Sequence, residues 1–167
     1  MDNQTQSTLS TPKDSRVEIR REDLLSPISQ QLILALNTEL EDRYPEDGAN
    51  FFRLDAEEVS EGRGGFFVAN IGDKAVGCGA VRRLEPGLVE IKRMYVDPNV
   101  RGRRVGRRIL DVLEAESRKL GARRIVLETG PRQPEAIALY THAGFTEIPL
   151  YGEYIGSLFS VCMAKDL

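Results

Sequence analysis

The chain is poor in the residues that build metal sites and disulfide scaffolds. Its 167 residues include two cysteines, Cys78 and Cys162, and one histidine, His142. Two thiols cannot staple a disulfide framework and suit a reducing compartment, so the cytoplasm is the expected location. A zinc site wants several Cys or His ligands, so no metal is expected. No apolar run is long enough for a membrane span, and no membrane partner is expected. Basic residues are not in excess: 23 Lys and Arg stand against 26 Asp and Glu, a net charge of −3. That balance argues against a dedicated nucleic-acid binder. Residues 1–16 lack the apolar core of a signal peptide and read as a flexible polar tail. What the chain does have is a globular share of apolar residues, 41%, with 15 glycines. Residues 17–167 fit a single domain, which at this size buries roughly 70% of the surface an unfolded chain exposes.

Hydrophobic periodicity supplies the elements. Val17-Glu-Ile19 alternates as a short strand, and Ser26-Pro27 opens a helix with Ser as N-cap and Pro at the first helical position. Ile28, Leu32, Leu36, Leu40 and Tyr44 form its apolar stripe, which ends before Pro45. Asp55–Val59 reads as a brief helix and Gly62–Gly65 as a turn. Phe66–Ile71 and Ala75–Val81 flank a two-residue hairpin loop, Gly72-Asp73. Pro86-Gly87 turns the chain into Leu88–Val96, giving three successive antiparallel strands. Val105, Ile109, Val112, Leu113 and Leu120 then share one helical face, with Gly121 as the stop. Arg124–Glu128 is a strand, and Pro134 starts a helix with Ala136, Leu139, Tyr140 and Ala143 inward. Phe145–Ile148 and Leu158–Ala164 are final strands around a loop with Tyr151 and Tyr154. The segment from Leu88 to Glu128 is long enough for a parallel crossover. An α/β (α+β) architecture with a mixed sheet follows, with a ligand expected where the sheet pattern changes.

The sharpest local feature is Arg101-Gly-Arg-Arg-Val-Gly-Arg-Arg108, at a joint between a strand and a helix. Glycines let backbone N–H groups turn toward a ligand, the helix start adds its positive dipole end, and arginines add forked donors. Such a loop suits phosphate or pyrophosphate; the plainer reading is a solvated basic turn. It is neither a Walker loop, which ends in Gly-Lys-Ser/Thr, nor a GxGxxG dinucleotide turn.

Val89-Glu-Ile-Lys-Arg-Met-Tyr-Val96, Asp97-Pro98 and Arg101-Gly-Arg-Arg-Val-Gly106 together resemble the acyl-CoA-binding segment of the GNAT N-acetyltransferase superfamily. Gln133-Pro-Glu-Ala-Ile-Ala-Leu-Tyr140 followed by Ala143-Gly-Phe145 resembles that family's second signature. The resemblance spans about Val17 to Leu167 and implies a GNAT-like mixed, mostly antiparallel sheet with flanking helices. Arg104 stands where the motif has its first glycine, and Gln133 where it has Asn.

The resemblance implies acetyl-CoA as cosubstrate. It places Arg101, Gly102, Arg103, Arg104, Val105, Gly106 and Arg107 on the pyrophosphate, with Gln133 beside the cofactor. Backbone groups of Met94, Tyr95 and Val96 would run along the pantetheine arm and orient the thioester. Direct transfer to an amine needs a base and an acid. Glu90 is the candidate base; its plainer reading is an ion-paired Glu beside Lys92. Tyr140 is the candidate acid toward the departing thiolate, or else a core tyrosine. Both cysteines and His142 read as structural, and no Gly-x-Ser-x-Gly elbow is present. The acceptor is a small-molecule or peptide amine, met by the loops around Tyr44–Phe52 and Pro149–Tyr154, where Glu46, Asp47 or Glu153 could attract a cation. A homodimer through an exposed sheet edge is one candidate assembly. The rival readings are a non-catalytic acyl-CoA-binding regulatory module and, through the arginine cluster, a nucleic-acid binder.

Overall fold

The computed structural model describes residues 16–46 and 53–167. Residues 1–15 of the expected tail, and the 47–52 segment with Asp47, lie outside the described residues. Among the described residues seven strands form one sheet: β1 (Val17–Arg21), β2 (Gly64–Ile71), β3 (Lys74–Glu85), β4 (Leu88–Val96), β5 (Arg124–Thr129), β6 (Thr146–Ile148) and β7 (Val161–Asp166). Their spatial order is β1-β2-β3-β4-β5-β7-β6, and only the β4–β5 pair is parallel. Among the described residues three α-helices cover it: α1 (Pro27–Arg43), α2 (Val105–Lys119) and α3 (Pro134–His142). This is the mixed, mostly antiparallel sheet that the sequence leads one to expect. Among the described residues no helix is long and apolar enough to cross a membrane, and no group of His, Cys, Asp or Glu could hold a metal ion.

Local chemistry explains most boundaries. Ser26 caps α1 by accepting from the Ser29 N–H at 3.2 Å, with Pro27 in the first turn. Within α1 the buried stripe runs through Leu32 and Leu36, while Ile28 is exposed. Each step of four residues overshoots a full turn by about 40°, so a strict four-residue row drifts off the core face at its ends. Gly64 and Gly65, expected in a turn, instead begin β2. A Cβ on Gly64 would fall 2.3 Å from the Glu58 and Val81 carbonyl oxygens, so the glycine permits a close backbone approach. β7 starts at Val161 rather than Leu158, which lies exposed in the preceding loop.

The sheet carries one irregularity that matters. In the β3–β4 ladder Cys78 pairs with Tyr95 but Ala80 pairs with Lys92, so β4 holds an extra residue there. Arg93 takes a left-handed conformation, φ 58°, within that bulge. Pairing between β4 and β5 covers only Leu88–Ile91 against Arg124–Leu127; beyond that the two strands part. Bulges bend their strand and raise its twist, which accounts for the parting.

Two apolar clusters hold the layers. Ile109, Leu113, Ile91, Leu127 and Tyr140 lie in the cluster beneath α2 and α3, whereas Leu32, Phe66, Val68 and Ala80 lie in the one beneath α1. Each fully buried aliphatic side chain contributes about 1.5–3 kcal/mol.

Candidate active site

A cavity of about 460 Å³ opens where β4 and β5 part. β4 contributes Ile91 through Val96, β5 contributes Glu128 and Thr129, and the three helices close the sides. The cavity lies at the C-terminal ends of the two parallel strands, where ligands enter sheets of this kind.

One end is made mainly of backbone. Asp97 accepts from the Asn99 N–H at 2.9 Å and Pro98 follows, which stops β4 and starts a short turn. Gly102 has φ 85° and Arg104 has φ 65°, ψ 18°, so the chain swings sharply into α2. Arg104 thus adopts the conformation a glycine would take, at a cost of about 1–2 kcal/mol. No side chain caps α2. Its first external closing bond runs from the Arg108 N–H to the Arg104 carbonyl at 3.1 Å, leaving the Val105, Gly106 and Arg107 amides at the open, positive helix end. A side chain at 106 would press on Leu139 and Val96, its Cβ falling 3.3 and 3.5 Å from their methyl groups. Arg101 braces the loop: its Nε donates to the Val96 carbonyl at 3.1 Å and its guanidinium meets Glu39 at 2.6 Å.

The other end is made of side chains. Tyr140, 4% exposed, presents its ring from α3 and meets Phe145 edge-on with centroids 5.8 Å apart. Burial raises its pKa, with the Glu128 charge adding to the effect. Glu128 follows the last residue of β5 that pairs with β4, stays paired with Cys162 of β7, and lines the cavity. Burial pushes its pKa up to about 7, the Ser160 hydroxyl and the Lys92 charge pulling the other way. Lys92 is buried, donating to the Arg53 carbonyl at 2.8 Å and to Glu153 at 3.1 Å.

Tyr44 and Phe159 form an aromatic wall, with centroids 6.1 Å apart. The Arg132 guanidinium lies over both rings, 5.2 and 5.5 Å from their centroids, and grips Glu46 with two bonds of 2.7 and 2.9 Å. The Arg132 N–H donates to the Tyr44 hydroxyl at 2.8 Å. Gly130 makes room for that contact, since a Cβ there would stand 1.9 Å from the Tyr44 oxygen.

The sequence profile described as the Acetyltransferase (GNAT) family matches residues 31–145. The chain belongs to this family. This GNAT acetyltransferase is 38% identical over 152 residues to an IAA acetyltransferase from Azospirillum brasilense, covering 90% of this chain and 98% of that protein. A structure from Klebsiella pneumoniae, provisionally named an acyl-CoA N-acyltransferase, is 30% identical, with a TM-score of 0.78 over 92% of this chain and 99% of that one. A GNAT acetyltransferase from Elizabethkingia anophelis with acetyl-CoA bound shares the fold at 16% identity, TM-score 0.65, over 90% of this chain and 98% of the other.

Most of the residues read from the GNAT motifs gather on this cavity: Tyr140, Gln133, residues 94–96, 101 and 102, and 104–107 all line it. Arg103 does not; it is exposed on the outside of the loop. Glu90 does not either. It is 1% exposed, paired across the β3–β4 ladder with Arg82 at 2.8 Å, and accepts a hydrogen bond from the Tyr151 hydroxyl on its other oxygen. Its partner is therefore Arg82, not Lys92. Glu128 escaped the sequence reading, although a carboxylate ending a parallel strand beside a binding loop is a usable signal. Cys78 is buried, donates to the Arg93 carbonyl at 3.2 Å and has its pKa pushed up to about 12, which suits a structural thiol. His142 Nδ1 donates to the Ala138 carbonyl at 2.7 Å at the end of α3, again a structural place.

Proposed function

We propose that this acetyltransferase moves the acetyl group of acetyl-CoA directly onto a primary amine, in the reducing cytoplasm that suits its two free thiols. The observation that carries the reading is the parted β4–β5 edge facing the uncapped start of α2. The Val105, Gly106 and Arg107 amides and the Arg104 and Arg107 guanidinium groups suit a diphosphate. The β4 edge beyond Ile91, released from β5, offers backbone groups to the amides of a pantetheine arm, which takes the place of a strand. Bound there, acetyl-CoA supplies an acetyl thioester.

The chain's own residues handle the protons. An amine is mostly protonated at neutral pH and must lose a proton to attack. Glu128, with its pKa near neutrality, is the group we assign as base in place of Glu90. Glu90 is given a positioning role: it holds Arg82 and Tyr151, and Arg82 in turn stands 3.8 Å from Glu153. As the C–N bond forms and the C–S bond breaks, Glu128 accepts the proton leaving nitrogen and Tyr140 gives one to sulfur. Burial keeps Tyr140 protonated until that moment, and the same dry surroundings raise the basicity of the departing thiolate.

Release of free thiol from acetyl-CoA with an amine panel tests the reading. Tyr140→Phe is expected to lower turnover about 10²-fold with CoA affinity little changed. Unchanged turnover would remove Tyr140 from the mechanism, and failure to bind acetyl-CoA would remove the cosubstrate. A homodimer through an exposed sheet edge belongs to the same reading and would double the chain mass in light scattering.

A further inference from the structure

One face of the sheet changes character along its length. Across the β3–β4 ladder Ala80 pairs with Lys92 and Arg82 with Glu90, and residues two apart on a strand share a face. Ala80 lies in the apolar cluster beneath α1. The same face therefore turns from apolar to ionic within two residues, and its ionic part is met by two short segments, residues 53–59 and 151–154. Each carries one short helical turn, Ala56–Val59 and Gly152–Tyr154, and one fully buried side chain, Val59 and Tyr154. Segments with so little apolar anchorage depend on polar bonds to keep their place.

Arg82 and Lys92 supply those bonds, and each reaches both segments. Arg82, whose side chain is 13% exposed, meets Glu58 at 2.7 Å. On its other side it bonds Glu90 at 2.8 Å and stands 3.8 Å from Glu153. The second oxygen of Glu90 accepts from the Tyr151 hydroxyl. Lys92 donates to the Arg53 carbonyl at 2.8 Å and to Glu153 at 3.1 Å. Both cations and all three acids of the cluster are thus engaged with one another, and the cluster has no charge left over to hold a ligand.

Arg82, Glu58, Glu90 and Tyr151 do not line the cavity, but the residues they hold in place do. Tyr154 lines it, its ring edge-on to that of Tyr151 with centroids 5.2 Å apart, and Phe159 of the same loop builds the aromatic wall with Tyr44. On the other side Leu54, Asp55 and Ala56 wall a hollow of about 300 Å³ that shares Arg93 with the cavity. The end facing α2 has separate support, the Arg101 bonds to Val96 and Glu39.

We propose that Arg82 is a positioning residue for the acceptor: it ties residues 53–59 to residues 151–154 across the sheet and so fixes the side-chain end of the cavity, while the backbone end stands without it. This rests on the amine transfer proposed above and adds to it a residue that touches neither substrate.

Thiol release with phenethylamine, phenylalanine and spermidine, with KM taken on the amine turned over fastest, tests the inference. Arg82→Met is expected to raise the KM for that amine about tenfold or more, the worth of charged hydrogen bonds lost, while kcat and the KM for acetyl-CoA change less than about threefold. Arg82→Lys should restore part of the loss, because an ammonium keeps the charge but cannot fork between Glu58 and Glu90. Backbone amides of residues 53–59 and 151–154 should exchange hydrogen faster in Arg82→Met, with those of α2 unchanged. Loss of Arg82 leaves Glu90 buried without its cation, so Tyr151→Phe gives a second reading should that variant not fold. It keeps the ring and breaks one link, and is expected to raise the same KM by a smaller factor. An amine KM unchanged in the folded variants, or an acetyl-CoA KM that rises as much as the amine KM, would overturn the inference and leave amine transfer standing. Acetyl-CoA binding with no amine acetylated would overturn both.

Discussion

The two ends of the cavity are built from different material. The end facing α2 is one stretch of chain, residues 94–107, whose work falls to backbone amides, a left-handed Gly102 and a left-handed Arg104. The opposite end is assembled, among the described residues, from side chains on six separate segments: Tyr44, Lys92 with Arg93, Glu128, Tyr140, Tyr154 and Phe159. A backbone site changes little when most of its side chains are replaced, because its donors are the peptide groups themselves. A side-chain site changes its ligand with one substitution. On the function proposed above, the molecule joins a fixed grip for a common donor to an adjustable pocket for a particular acceptor.

The sharpest break in that contrast is Gly106→Trp. Its Cβ would start 3.3 Å from Leu139 and 3.5 Å from Val96, so the indole must enter the cavity at the backbone end. CoA binding is expected to vanish in calorimetry; retained affinity would mean that the donor lies elsewhere.

Glu128→Gln tests the side-chain end and is expected to lower turnover about 10²–10⁴-fold. The wild-type rate should rise with pH through about 7, and that limb should be missing in the variant. The same substitution should stabilise the protein. Glu128 ionises near 4.5 in an unfolded chain and near 7 in the fold. Between those pH values the folded state keeps a proton that the unfolded state releases, so this group's contribution falls as pH rises and then levels off above 7. At pH 8 the variant should therefore gain up to about 3 kcal/mol, read as a higher denaturation midpoint. A pH-rate limb that survives in Glu128→Gln would return the base to another group.

The smallest effect belongs to Arg104→Gly, which restores the residue whose conformation Arg104 imitates. Relief of the left-handed strain, partly offset by the entropy a glycine loses on folding, should raise Tm by about 2–4 °C. CoA affinity should fall only a few-fold, since the amides remain. A large loss of affinity would shift the weight of the backbone end onto its side chains.

The same contrast decides what could be read from the sequence. A backbone grip leaves its mark locally, since Asp97-Pro98, Gly102, Gly106 and the onset of helical periodicity at Val105 are neighbours in the chain. The order of elements along the chain and the room for a parallel crossover between β4 and β5 were legible for a similar reason, through turn residues and segment length. The acceptor end left no such trace. Glu90 and Glu128 lie on adjacent strands, and only the ladder shows that Glu90 meets Arg82 while Glu128 lies past the last residue paired between β4 and β5. The extra residue at Arg93 that parts the strands is equally silent, because a register shift is a property of two strands rather than one. Glu46 and Glu153 looked available in the sequence, but their partners Arg132 and Lys92 come from distant segments.

A crystal structure with CoA bound tests the account most directly. The diphosphate should rest on the Val105–Arg107 amides, with the thiol sulfur in the β4–β5 gap, within hydrogen-bonding reach of the Tyr140 hydroxyl and on the side of Glu128. A diphosphate bound elsewhere, or a sulfur outside the gap, would contradict it.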